Sequence, residues 1–196
     1  MRIFVLLTIA FTLACCANKR NPGVIIVTDL GNIEAEVYSD EAPFTAANFL
    51  RYVDSGKYNN NLACFYRVVR LDNQPDKKIT IEVIQGGFGQ DSLIEKYQFP
   101  PIIHETTQKT GILHKDGVLS MARYGPGTAS SEFFICVGDQ PQLDFDGGRN
   151  PDKQGFAAFG KVVKGMDIVR KIQSLKDNDQ YLVKPVKIIG ITRIKE

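Results

Sequence analysis

The sequence predicts a mainly β protein, a closed barrel capped by helices. Three observations carry that reading: short β-branched or apolar runs recur between turn-rich segments, two stretches keep helical spacing, and several connections are long. No internal repeat or second-domain boundary is visible, and 196 residues fit one domain plus a leader. A hydrophobic content of 43% is enough for a real core. The formal net charge of +2, with no basic run, gives no reason to expect nucleic acid as a partner.

The leader comes first. Met1-Arg2 is a short positive start, and Ile3–Ala14 is apolar apart from Thr8 and Thr12. That run falls short of the about 20 residues a bilayer span needs, and it has the length of a secretory h-region. Leu13-Ala14-Cys15-Cys16 resembles a bacterial lipobox, with Leu13 three residues before Cys16. Cys16 is the expected lipid attachment site, with Cys15 the alternative. The chain therefore divides into a signal peptide over 1–16, a tether over 17–23 and a folded domain over 24–196. The mature protein is expected to be exported to the periplasmic side and held at the envelope membrane by a lipid. Cys64 and Cys136, each between apolar neighbours, are expected to be free and buried rather than bridged.

The elements follow in order. Val24–Thr28 and Ile33–Val37 flank the turn Asp29–Asn32 and read as a hairpin. Asp40-Glu41-Ala42-Pro43 opens a helix with acids near its positive end; Ala46, Ala47, Phe49, Leu50 and Val53 keep its period and Gly56 stops it. Phe65–Val69 is a strand on which strict alternation places Arg67 with Phe65 and Val69. Arg70–Lys78 reads as a polar hairpin tip, and Ile79–Gln85 as the returning strand, with Val83 and Gln85 on one side and Ile84 on the other. Phe88–Gln108, with Pro100-Pro101, reads as an irregular excursion. Val118–Ala122 and Phe133–Val137 are strands, Gly138–Gln154 is a long loop, and Phe156–Val163 is a strand. Met166, Val169 and Ile172 give a second helix, and Val186–Ile194 a last strand.

Between the two middle strands, Leu119–Phe134 couples a buried strand, the rigid turn Gly125-Pro126-Gly127 and a second strand led by Glu132-Phe133-Phe134. That pattern suits one wall of a binding groove. Other chemistries find less support. The two histidines, His104 and His114, lack metal-ligand spacing, and no Lys-Ser/Thr follows the glycine pairs to make a phosphate loop. Ser130 and Ser131 lack a nucleophile-elbow context. No metal and no cofactor are expected.

Taken together, Phe65-Tyr66-Arg67-Val68-Val69, Val83-Ile84-Gln85-Gly86-Gly87, Leu119-Ser120-Met121-Ala122, Ser130-Ser131-Glu132-Phe133-Phe134-Ile135 and Phe159-Gly160-Lys161-Val162 resemble the cyclophilins in order and spacing. The resemblance covers nearly everything from Val24 to Ile194. It implies an eight-stranded antiparallel barrel with a helix at each end and peptidyl-prolyl cis–trans isomerase activity. It also implies that Arg67 is the catalytic residue and that Gln85 orients it and the substrate. Ala122 and Arg123 fall on the edge that binds peptide backbone, Phe134 on the floor of the proline pocket, and Leu143 on its aliphatic wall. Val83, Glu132 and Phe156 complete the substrate-binding set, and proline-containing peptides or partly folded proteins are the expected partners of a monomer.

The chain departs from the family's pattern in several places. Arg70–Lys78 is an insertion, which leaves Ile81 or Glu82 to stand where an aromatic is common, with Val83 where Met is common. Arg123 stands for a common Asn, Glu132 for a Gln and Phe156 for a His. Gln142 stands where many members carry the Trp that supports cyclosporin binding, so weak inhibition is expected. The competing readings are a non-catalytic proline-peptide-binding or chaperone module and a structural envelope lipoprotein.

Overall fold

Strand β1 (Gly23–Thr28) turns tightly into β2 (Gly31–Val37), with Thr28 Oγ1 donating to Gly31 O at 2.6 Å. These strands belong to a computed structural model that describes residues 21–59 and 62–195. The expected signal peptide, Cys15 and Cys16 lie outside the described residues. The remaining strands are β3 (Ala63–Val69), β4 (Val83–Gly87), β5 (Val118–Met121), β6 (Phe133–Cys136), β7 (Ala157–Lys164), β8 (Asp177–Asn178) and β9 (Tyr181–Arg193). The order β1-β2-β7-β5-β6-β4-β3-β9 closes through β9 on β1, entirely antiparallel. Eight strands thus form the barrel, and the short β8 only doubles the edge of β9.

The barrel interior is filled by side chains. Phe133 and Phe159 from the strands meet Phe49 of helix α1 (Pro43–Asp54), with ring centroids 5.4 and 4.9 Å from that of Phe49, and Phe65 packs on Phe133 at 5.9 Å. Tyr52 and Tyr58 extend this aromatic stack, and Tyr58 uses its hydroxyl to donate to Ser131 O at 2.6 Å. Burying the polar ends of such rings requires these partners. A further carboxylate, Glu105, caps the start of α1: its Oε2 accepts from Thr45 N at 2.8 Å and Thr45 Oγ1 at 2.7 Å. A second helix, α4, lies against β2, β3 and β4 with Val169 and Ile172 buried. It spans Met166–Gln173.

Four expectations needed correction. Phe88–Gln108 is not wholly irregular, since it carries helix α2 (Asp91–Tyr97) and the start of the single turn α3 (Thr107–Thr110). The strand expected over Ile79–Gln85 begins only at Val83, because Gln74 bonds the preceding backbone instead: its Nε2 donates to Ile81 O at 2.8 Å and its Oε1 accepts from Ile81 N at 3.3 Å. The last strand starts at Tyr181, five residues earlier than expected, where β8 pairs with it. Finally, Arg67 does not share a face with Phe65. A β-bulge at Tyr66 shifts the register on both neighbouring strands, so Phe65 and Val68 enter the core while Arg67 and Val69 face outward.

Cys64 and Cys136 are free, as expected, with Cys136 buried and Cys64 partly so. Burial pushes the Cys64 thiol up to about 11 and raises Cys136 as well.

Gly160 marks the tightest approach of β7 to β2, where an added Cβ would meet Glu36 O at 2.4 Å. Backbone cannot give way as a side-chain tip can. Gly160→Ala should lower the unfolding free energy by about 1–3 kcal/mol, the range for overpacking, as a reduced urea midpoint.

Candidate active site

The filled interior leaves the outer faces of β3, β4, β5 and β6 as the place for a ligand. A groove of about 720 Å³ runs there, and Arg67, Val83, Gln85, Ala122, Arg123, Glu132, Phe134, Leu143 and Phe156 all line it. The structure therefore brings together every groove residue expected from the sequence. Its volume suits a short peptide.

Arg67 leaves the bulged strand beside Gln85 of β4. Its Nη1 donates to Gln85 Oε1 at 3.0 Å, while Nε donates to Gln180 Oε1 at 3.1 Å and Nη2 reaches the same oxygen. Gln85 Nε2 in turn donates to Tyr66 Oη at 2.6 Å. The bulge serves this arrangement, because it aims Arg67 outward while Phe65 stays in the core.

Glu132 ends this network and does not charge the open groove. Its Oε1 accepts from Phe88 N at 2.8 Å and Ser131 Oγ at 3.1 Å, and Oε2 accepts from Gly89 N at 3.3 Å. The nearby Tyr66 hydroxyl also favours the ionised carboxylate. Burial raises the carboxyl above its ordinary range, and those hydrogen bonds only partly oppose the shift. Burial also raises Tyr66, with the nearby Glu132 charge adding to it. Gly87, at φ +141°, makes room: a Cβ there would lie 2.4 Å from Glu132 Oε1.

Next to Arg67 lies a small apolar cluster separate from the barrel core: Val69, Ile81, Val83, Phe134, Cys136 and Leu143, with Ala122 and Phe156 packed on it. Adjacent residues of β6 divide between the two cores, Phe133 inward and Phe134 outward, as alternation requires. Phe156 meets Phe134 edge-on at 5.3 Å. Ile81 lines the groove; Glu82 instead accepts at its carboxylate from Gln173 and at its carbonyl from Val137 N. The pocket wall left open by the insertion is therefore aliphatic.

Behind Phe134, His114 stacks at 6.0 Å and joins Asp144 (Nδ1 to Oδ1, 2.7 Å) and Ser120 (Nε2 to Oγ, 2.9 Å). The three residue types are those of a hydrolytic triad. Ser120 is 0% and His114 1% exposed, so no substrate reaches the hydroxyl. The trio supports the pocket floor.

Arg123 sits on the groove edge with its side chain turned into the wall. Its guanidinium pairs with both Asp152 oxygens at 2.8 and 2.9 Å, donates to Gly155 O, and lies 5.1 Å from the Phe156 ring centre. The pairing holds the Asp152 carboxyl down at about 2. Arg123 therefore buttresses Phe156. Sequence reasoning missed other lining residues: Tyr66 and Tyr181, stacked at 6.4 Å, exposed Tyr124, and Asp91, Ile94 and Glu95 from α2. The i, i+3, i+4 spacing of the last three was readable, but only once the segment was known to be helical.

An outward-facing guanidinium beside an apolar pocket, on a filled eight-stranded barrel, defines a peptide-binding barrel of the prolyl isomerase type. The family model for cyclophilin type peptidyl-prolyl cis-trans isomerases matches residues 24–193. A peptidyl-prolyl cis-trans isomerase of Acinetobacter baylyi is 37% identical over 177 residues, 87% of this chain and 85% of that protein. Peptidyl-prolyl cis-trans isomerase B of Escherichia coli K12 is 36% identical over 149 residues, covering 76% and 82%. The fold also matches a crystal structure of a Cryptosporidium parvum cyclophilin type peptidyl-prolyl cis-trans isomerase with a TM-score of 0.69 at 23% identity, over 90% of this chain and 99% of that one. The chain belongs to the cyclophilin-type peptidyl-prolyl cis–trans isomerases.

The raised Glu132 carboxyl has a measurable signature. Between its ordinary range and its folded value the folded state holds the extra proton, so stability falls as pH rises through that window. Glu132→Gln lacks this titration. Its melting temperature relative to wild type should therefore climb as pH goes from acid to neutral; a constant difference in a pH series of thermal melts would contradict the assignment.

Proposed function

We propose that this isomerase turns Xaa–Pro bonds of exported, partly folded proteins while lipid-anchored on the periplasmic face of the cell envelope, with Arg67 as its catalytic residue. The observation that carries the catalytic role is the Arg67 guanidinium lying beside the apolar pocket of Phe134, Leu143, Ile81 and Val83, all in one groove. A related crystal structure, of a Cryptosporidium parvum enzyme in the presence of the dipeptide Ala-Pro, has a TM-score of 0.67 at 23% identity, over 89% of this chain and 99% of that one. A proline dipeptide is the kind of ligand this groove is proposed to take.

Rotation of a peptide bond faces a barrier of about 18–20 kcal/mol, because resonance makes C–N partly double. Xaa–Pro bonds are the natural substrate, since both of their isomers are populated. Twisting the bond ends the conjugation and leaves a lone pair on the proline nitrogen. The apolar pocket holds the ring, the main chain at Ala122 and Arg123 holds the adjoining peptide, and the carbonyl side rotates. A guanidinium N–H donates to the lone pair only when the bond is twisted, which is stabilisation confined to the transition state. Each tenfold in rate needs about 1.4 kcal/mol, within reach of one charge-assisted hydrogen bond. No proton is transferred and no covalent intermediate forms.

The anchoring half of the proposal rests on the apolar run Ile3–Ala14 and on Leu13-Ala14-Cys15-Cys16. Mass spectrometry of membrane-extracted protein should find an acylated Cys16 (or Cys15) as first residue; an unmodified Met1 would refute it. Arg67→Ala should lower kcat/KM more than tenfold in a protease-coupled assay with the fold intact; a near-wild-type rate would remove Arg67 from the chemistry. Gln142 is exposed and bonded at its carbonyl to Arg149 N at 3.1 Å, so it offers no indole to cyclosporin. Inhibition should be weak, and sensitivity to nanomolar cyclosporin would contradict that reading.

A further inference from the structure

We infer that Gln180, at the turn between β8 and β9, is a positioning residue for Arg67, and that the Arg70–Lys78 insertion holds Gln180 in place. The inference rests on the catalytic role proposed for Arg67.

A guanidinium has five N–H donors. Gln85 takes one at Nη1, and Gln180 Oε1 receives both Nε and Nη2, leaving the free donors at the outer end of the group. Gln85 alone fixes one corner and leaves rotation about it open. With the Nε–Nη2 edge also held, the guanidinium plane is set. Both partners are neutral amides, so the cation is held without an opposing charge.

The second amide is itself built in. Gln180 Nε2 donates to Asn73 O at 3.0 Å, and Gln180 N donates to Asp177 Oδ2 at 2.9 Å. Asn73 Nδ2 donates to the same Asp177 oxygen at 3.0 Å, and Arg70 Nη2 bonds its other oxygen. Arg70 Nη1 reaches Gln173 O at 2.9 Å. The insertion, α4 and the β8–β9 turn are thereby joined around Asp177. Backbone conformation supplies an independent sign. Asp179 and Gln180 lie at φ 49° and 72°, the left-handed region where glycine or asparagine is cheaper than glutamine. The turn alone does not call for a glutamine; the contact with Arg67 does.

The test is a double-mutant cycle. Gln180→Gly suits the turn's backbone but deletes the amide. It should lower kcat by about fivefold, near 1 kcal/mol, with KM unchanged, and should have no further effect in an Arg67→Ala background. The Arg67 Nε–H resonance, slow to exchange in the wild type, should exchange faster in Gln180→Gly. Asn73→Ala, which frees Asp177 from this side chain of the insertion while leaving Gln74 and the Ile81 wall in place, should lower kcat in the same sense with KM unchanged. Wild-type kcat in Gln180→Gly, an unchanged resonance, or losses that multiply in the double variant would overturn the inference. A wild-type rate in Arg67→Ala would instead overturn the catalytic reading beneath it.

Discussion

A barrel of eight strands has a bore just wide enough for its own side chains, and here aromatic rings fill it. Phe49, Phe65, Phe133 and Phe159 leave no room for a peptide within, so binding has to happen on the outside wall. Every strand beneath the groove therefore serves two surfaces at once. Ile84 and Phe133 build the core; their chain neighbours Val83, Gln85 and Phe134 build the site. Only β3 cannot do this by simple alternation, and its bulge at Tyr66 resolves the conflict.

The electrostatics follow the same division. Four carboxylates near the groove are committed elsewhere: Glu132 to backbone amides, Asp144 to His114, Asp152 to Arg123 and Asp177 to Arg70. Among the described residues none forms an ion pair with Arg67. The guanidinium meets carboxamides instead, which orient it and leave its charge for the ligand. Arg123 shows the opposite use of the same side chain, fully paired and buried as scaffolding beneath Phe156.

What could be read from the sequence was what lies close along the chain. Alternation separated Val83 and Gln85 from Ile84, and the motifs around Arg67, Phe134 and Leu143 pointed to residues that do converge. The bulge was hidden because Phe65-Tyr66-Arg67-Val68-Val69 alternates equally well without it, and only the pairing with β4 and β9 reveals the extra residue. Gln74 was hidden because a side chain imitating a strand partner leaves no periodic trace. Glu132 could not be aimed from sequence, since the backbone donors it accepts from belong to a loop more than forty residues earlier. Gln180 contacts Arg67 across 113 positions through a turn that no short motif marks.

The two thiols bear on how the protein reaches its working state. With Cys64 at about 11, its thiolate fraction at neutral pH is on the order of one in ten thousand, and burial raises Cys136 well above the ordinary thiol range as well. Neither can readily attack a disulfide or be captured by one once the barrel has closed. For the closed barrel, an oxidising surrounding is neither needed to hold these two positions together nor able to cross-link them readily.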